Sequence, residues 1–248
     1  MPEIVDLPSG LKGEIRGLNG KEIQLLTNKE LAKSALLIDR IIGTCWIQTI
    51  EPGPYKADDK GKLDWSKVLH GDRVYLLIRV SAATFGKRYP FTVHCRVCKK
   101  EVREEVDLLE LPVKKLSEED LATFETSGLF QRTLPDGRAF TFRLPNGDDE
   151  VRETKAAMRG GEEAAVPATA VSRIDEIEGI EGAAARRRYF DEGVAGLVFE
   201  ALQIMQEPDC GVDTAIQVEC SNAACGATTE IDLPLDRLLA PRRRPKPS

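Results

Sequence analysis

Two cysteine pairs, more than a hundred residues apart in a chain of 248, constrain the fold more than any other feature of the sequence. Cys95 and Cys98 form the first pair, and Cys220 and Cys225 form the second. Each pair lies between two runs in which apolar and polar residues alternate, which is typical of β-strands. The alternation predicts two β-hairpins, each with a pair of cysteines at its turn.

The two hairpins are an internal repeat. Thr-Val-His-Cys-Arg-Val-Cys at 92–98 is followed by Glu-Val-Asp-Leu, and Gln-Val-Glu-Cys-Ser-Asn-Ala-Ala-Cys at 217–225 is followed by Glu-Ile-Asp-Leu. Two matching turns can face each other across one metal ion. Zn²⁺ prefers four sulfur ligands in a tetrahedron, with bonds of about 2.3 Å. The sequence therefore predicts a structural zinc site closed by four thiolates, although the second spacing is wider than the usual one. The four ligands are Cys95, Cys98, Cys220 and Cys225.

Other interpretations of these cysteines stay open. They could be reduced, buried thiols, or Cys95 and Cys98 could be a redox pair, although no thioredoxin-like strand and helix surround them. His94 could replace a cysteine as ligand, although the alternation turns it away from Cys95. Six cysteines are too few for a disulfide scaffold and suggest a reducing cytoplasm.

Composition excludes several classes of protein. Apolar residues make up 42% of the chain and charged residues 31%, which is typical of a soluble globular protein and excludes a fibrous or disordered one. No apolar run approaches the roughly 20 residues needed to span a bilayer, and the N-terminus lacks the pattern of a secretory signal. We therefore expect a cytoplasmic protein with no membrane partner.

The charge balance bears on nucleic-acid binding. The net charge is −6, and the last eight residues carry four of the 35 basic residues, so the body is more acidic still. Such a body repels a phosphate backbone, which argues against a nucleic-acid partner. A nucleic-acid-binding zinc ribbon remains an alternative because basic residues lie near the first pair, though acidic neighbours offset them. These basic residues are Arg96, Lys99, Lys100 and Arg103.

The patterns predict an α+β fold, in which the two zinc knuckles form a zinc-ribbon-like module packed with helices from the N-terminal part and the C-terminal half. Helical periodicity is seen at 20–50, 72–84, 167–178 and 183–206, and Asp136-Gly137 predicts a hairpin with a primed turn. The predicted regions are an N-terminal helical region at 1–88, the first knuckle hairpin at 89–115, a β-hairpin insertion at 116–150, a helical segment at 151–208, the second knuckle hairpin at 209–239 and a disordered basic tail at 240–248.

The sequence contains no catalytic motif of the kinds that mark hydrolases, nucleotide-binding enzymes or metalloproteases. Neither His70 nor His94 accompanies a nucleophile motif, and the acidic run at 148–150 reads as a solvated loop. Cys45 lies on an apolar helix face and reads as a core residue, whereas Cys210 reads as an exposed thiol in a turn. We therefore expect a protein that is not an enzyme and takes no small-molecule substrate.

Several short motifs spread along the chain resemble one family. They are Leu7-Pro8-Ser9-Gly10-Leu11, Asp39-Arg40, Cys45-Trp46, Pro52-Gly53-Pro54-Tyr55, Asp64-Trp65, Gly71-Asp72-Arg73, the two cysteine pairs and Asp209-Cys210-Gly211-Val212-Asp213. From about Leu7 to Leu238 the chain resembles the T4-type baseplate hub assembly chaperones of contractile phages, prophages and contractile injection systems. The resemblance implies a non-enzymatic factor that binds the baseplate hub or other tail proteins during assembly. A permanent structural component of the baseplate is the alternative.

Overall fold

A computed structural model describes residues 2–26, 36–160, 171–193, 196–235 and 237–240. The fold is mixed α+β, as the sequence predicts. The helices are α1 (Gly20–Leu26), α2 (Leu36–Cys45), α3 (His70–Phe85), α4 (Glu118–Thr126), α5 (Gly147–Gly160), α6 (Ala183–Asp191) and α7 (Leu197–Gln206). The strands are β1 (Glu3–Asp6), β2 (Lys12–Ile15), β3 (Trp46–Glu51), β4 (Arg88–His94), β5 (Glu101–Asp107), β6 (Val113–Lys114), β7 (Phe130–Thr133), β8 (Ala139–Phe142), β9 (Ile174–Ile177), β10 (Gly211–Val212), β11 (Ala215–Glu219) and β12 (Thr228–Asp232).

Helix α3 lies at the centre of the molecule and confirms the helix predicted at 72–84. Leu76 and Val80 pack into one apolar cluster, Ile78 packs into another, and Leu69, just before the helix, packs into a third. The helix ends at Gly86, whose φ of 92° most residues with a side chain avoid and whose N–H donates to the Ala82 carbonyl. One helix thus supports all three apolar clusters.

The first cluster lies between α2, α3 and an antiparallel sheet of order β1-β2-β3. The helix predicted at 20–50 is wrong at its end, because α2 stops at Cys45 and residues 46–51 form β3. The β2 backbone that pairs with this strand lies over thirty residues earlier, beyond the reach of local periodicity. The strands approach closely at Gly13, where a Cβ would lie 2.1 Å from the Trp46 ring. The region expected to be helical, 1–88, thus contains a sheet.

The second cluster packs α6 and α7 against a sheet of order β7-β8-β9. The hairpin predicted around Asp136-Gly137 is confirmed, but its primed turn is wrong. Gly137 alone among the turn residues has positive φ, and Pro135 cannot adopt the positive φ that a primed turn needs. The helix predicted at 167–178 is also wrong where β9 forms. Ile174 and Ile177 are both buried because Asp175 is an extra residue that shifts the register between them, and this three-residue spacing imitates a helix face.

The third cluster holds the two predicted hairpins, β4–β5 and β11–β12, and both are confirmed. The short pair β6–β10 joins the segments that follow the first hairpin and precede the second. Helix α4 is present in the structure but is not among the helices that the periodicity predicts.

Some predictions fall on parts of the chain outside the described residues. They are the helical pattern at 27–35 and 161–170 and the disorder of the basic tail at 241–248. No helix within the described ranges is long and apolar enough to cross a membrane.

Candidate functional site

The two hairpins place their cysteine turns side by side, and the four sulfur atoms converge. The Sγ atoms of Cys95 and Cys225 are 3.9 Å apart, and those of Cys98 and Cys220 are 3.5 Å apart. All four sulfurs lie within 4.8 Å of one another. Four sulfurs at 2.3 Å from one ion would lie about 3.8 Å apart along each edge of a tetrahedron. The four cysteines can therefore bind a metal ion.

The first cysteine turn spans Cys95–Lys100. The Cys95 N–H donates to the Lys100 carbonyl, and the Lys99 N–H donates to the Cys95 carbonyl, both at 2.9 Å. Lys99 has a φ of 61°, in the left-handed region. This backbone folds tightly enough to direct both sulfurs of the pair to the same side.

The second cysteine turn spans Cys220–Ala227 and repeats this geometry. The Cys220 N–H donates to the Ala227 carbonyl at 2.9 Å, as Cys95 does in the first turn. Gly226, which follows the second cysteine as Lys99 does, has a φ of 54°. The second turn has two more residues between its cysteines than the first. It accommodates them by folding back at Asn222, whose carbonyl accepts hydrogen bonds from the N–H groups of Cys225 and Gly226. The wider spacing therefore does not prevent convergence.

Backbone N–H groups favour the thiolate form in the first turn. The Lys100 N–H lowers the pKa of Cys98 to about 6, and the N–H groups of Cys98 and Val97 lower that of Cys95. The Asn222 N–H also lowers the pKa of Cys220, but burial and the neighbouring thiols together raise it to about 12. Four adjacent thiolates repel one another, so full ionisation of this cluster requires a bound cation.

The surroundings close the site. Cys95 and Cys220 are buried, and Cys98 and Cys225 are half-buried against apolar residues of the third cluster. His94, the alternative ligand, has an exposed side chain and lies outside the group of converging sulfurs. Neither a redox pair nor isolated reduced thiols would require four sulfurs to meet at one point.

A second group of polar residues is buried where α3 begins. Asp72 is fully buried, and its carboxylate accepts hydrogen bonds from the Ser9 N–H at 3.0 Å, the Ser9 hydroxyl and the Tyr55 hydroxyl at 2.6 Å. Burial raises the pKa of Asp72 to about 6, although these donors oppose the shift. This carboxylate thus ties α3 to two loops.

Arg73, the next residue, is 1% exposed and lies among three acceptors. Its guanidinium donates to both carboxylate oxygens of Glu150, at 2.9 and 2.8 Å, and to Asp39 and the Trp65 carbonyl, both at 2.6 Å. Such charge-assisted, bidentate pairs are the strong hydrogen bonds of a protein interior. Arg73 therefore connects α2, α3 and α5.

Two predictions about this region are wrong. The acidic run at 148–150 is the first turn of α5, where its carboxylates pair with Lys67, Arg143 and Arg73, so it is not a solvated loop. Cys210 is buried, and burial raises the pKa of its thiol. It lies where two chain segments touch, since a Cβ on Gly71 would lie 1.8 Å from the Cys210 carbonyl oxygen.

The scattered sequence motifs meet at this place. Ser9, Asp39, Tyr55, Trp65 and the 71–73 segment come from five separate motifs, and all of them touch the start of α3. From the sequence, Asp72 is expected only to favour the positive end of the helix dipole and Asp39 to face solvent, although the run Gly-Asp-Arg at the start of an apolar helix was a usable signal. Their hydrogen bonds hold loops and helices together around α3.

Comparison with known proteins identifies the family of the chain. The family described as T4 bacteriophage base plate protein matches residues 6–236, nearly the whole chain. No curated protein and no solved structure matches. The matched range includes both cysteine turns. It also includes the polar residues around the start of α3, which we call the buried polar group: Ser9, Asp39, Tyr55, Asp72, Arg73 and Glu150. The chain therefore belongs to the T4 bacteriophage base plate protein family.

Proposed function

We propose that this baseplate protein is a non-enzymatic assembly factor for the baseplate hub or tail of a contractile phage or injection system, stabilised by one structural zinc ion. The family match supports a role with other tail and baseplate proteins. The observation that carries the zinc part of the proposal is the convergence of four sulfurs within 4.8 Å. A site of this kind stabilises a binding surface and leaves no position for a substrate.

Zinc is the ion that suits this ligand set. Four thiolates are soft ligands, and a tetrahedral arrangement of them is typical of zinc in proteins whose site is not catalytic. Cys95, Cys98, Cys220 and Cys225 would hold the ion, and with it the ends of the intervening 121 residues. Elemental analysis of protein purified without added metal tests this proposal, with one zinc per chain expected.

The hydrogen bonds of the buried polar residues at the start of α3 support the proposal that the protein acts by binding. The side chain of Asp72 accepts three hydrogen bonds from protein donors, and Arg73 donates four. Groups occupied in this way hold the fold together and are not poised to react with a substrate. The protein would then act through its surface, on the hub or another tail protein.

The second candidate is a permanent structural component of the baseplate, which the description of the family as a base plate protein favours. Mass spectrometry of purified particles separates the two candidates. Absence from the particle, with co-purification of a hub protein from lysate, supports a transient assembly factor, whereas a fixed copy number supports the structural component. Formation of normal tails in a deletion strain would refute both.

A further inference from the structure

The first cysteine turn presents an unusual surface, which we call the basic tip and define as Arg96, Val97, Lys99 and Lys100. Val97 is 69% exposed, a high value for an apolar side chain. The three cations around it are exposed too, and within the described ranges no carboxylate lies in ion-pair distance of them. The tip thus combines one exposed apolar side chain with three exposed cations that have no ion-pair partner among the described residues.

Lys99 gives a second, independent observation. Among the described residues it is the one non-glycine residue with positive φ, and the same position of the repeat in the second turn is Gly226. A left-handed backbone costs a residue with a Cβ about 1 kcal/mol relative to glycine. Glycine would thus relieve this strain, whereas lysine places a third cation on the tip at that cost.

The charges around the basic tip favour an acidic partner. The nearest carboxylate along the chain, Glu101, is paired with Arg103 at 2.6 Å, and Glu219 lies at the base of the other turn. The four converging cysteine sulfurs lie beneath the tip, whereas its three cations are exposed to solvent. The second turn presents the uncharged residues 221–224 beside them. A negatively charged group therefore meets cations first.

We infer that the basic tip docks an acidic segment of a partner baseplate or tail protein, whose carboxylates pair with the three cations and whose apolar side chain covers Val97. The inference rests on the proposed function and names the surface that carries it. A short acidic peptide fits better than nucleic acid, because a phosphate backbone would continue past the tip over a chain of net charge −6. Phosphate also offers no apolar group for Val97.

A photo-cross-linking amino acid at position 97 of the full chain tests the inference in cells that assemble tails. We expect a cross-link that mass spectrometry maps to an Asp- or Glu-rich segment of a tail protein. Reversal of charge in R96E/K99E/K100E should reduce this cross-link about tenfold or more, while the matched control K56E/K60E/K62E, on an exposed loop elsewhere, should leave it unchanged.

Lys99→Gly separates binding from stability. It relieves the backbone strain, so the protein should melt at the same or a higher temperature and keep its zinc, and yet the cross-link should weaken several-fold. An unchanged cross-link in both tip variants would overturn the inference, and so would a cross-link to nucleic acid or to a segment without acidic residues. If a tail protein still co-purifies in those cases, the proposed function survives. If no tail protein co-purifies and tails form without the protein, the proposed function itself fails.

Discussion

Removing one ligand from each cysteine turn, in the double variant C98S/C225S, should abolish metal binding and lower stability substantially. Serine hydroxyls are poor ligands for an ion that prefers thiolates. Loss of the ion also removes the cross-link between two hairpins that are far apart in sequence.

The expected loss of stability follows from the length of the loop that the metal site closes. Cys98 and Cys220 are 122 positions apart, and a cross-link over a loop of that length restricts the unfolded chain by about 5 kcal/mol. One kcal/mol corresponds to about 2–4 °C in the melting temperature of a chain of this size. We therefore expect the double variant to melt about 10–20 °C below the wild type.

Thermal unfolding with and without a chelator, beside elemental analysis, is the assay. Chelation should bring the wild type down to the melting temperature of C98S/C225S and should leave that variant unaffected. Cys45→Ala and Cys210→Ala are matched controls, because these buried cysteines lie outside the cluster, so both variants should keep one metal ion per chain. A double variant that still binds one ion, or a chelator shift below about 3 °C, would refute the reasoning.

Three further predictions concern the buried polar group and the contacts of α3. Arg73→Met removes the ion pair of Asp39 and leaves Glu150 with His70 as its remaining partner, and it should lower the free energy of unfolding in urea by about 3–5 kcal/mol, while Arg187→Met, which breaks an exposed pair with Asp191, should change it by less than about 1 kcal/mol. Because the pKa of Asp72 is raised to about 6 from 3.8, the folded protein favours the protonated acid, and stability should fall as the pH rises from about 4 to about 6, by up to about 3 kcal/mol. Asp72→Asn should flatten this part of the stability profile relative to the wild type in the same buffers, and an identical slope would contradict the assignment. Gly71→Ala should cost more than about 2 kcal/mol because its Cβ would lie 1.8 Å from a backbone oxygen, whereas Gly20→Ala, with nothing within 4 Å of its Cβ, should cost less than about 1 kcal/mol.

The sequence by itself determined the features whose signals are local. The alternation on either side of each cysteine pair predicted β4–β5 and β11–β12, because a strand with one buried face imposes a period of two on its own residues. The repeat of the two turns then indicated which four cysteines would meet. Helix α3 was predicted for the same reason, since its apolar residues repeat at the helical period.

Only the tertiary structure decided the rest. Strand β9 has buried residues three apart because its pairing with β8, more than thirty residues earlier, leaves Asp175 as an extra residue between Ile174 and Glu176 and so changes which side chains face the core. The partners within the buried polar group are even further apart in the sequence. Arg73 and Glu150 are 77 positions apart, and Asp72 and Ser9 are 63 apart. A charged residue in a sequence is most often solvated, and it becomes a buried connection only when packing brings it a partner and excludes water.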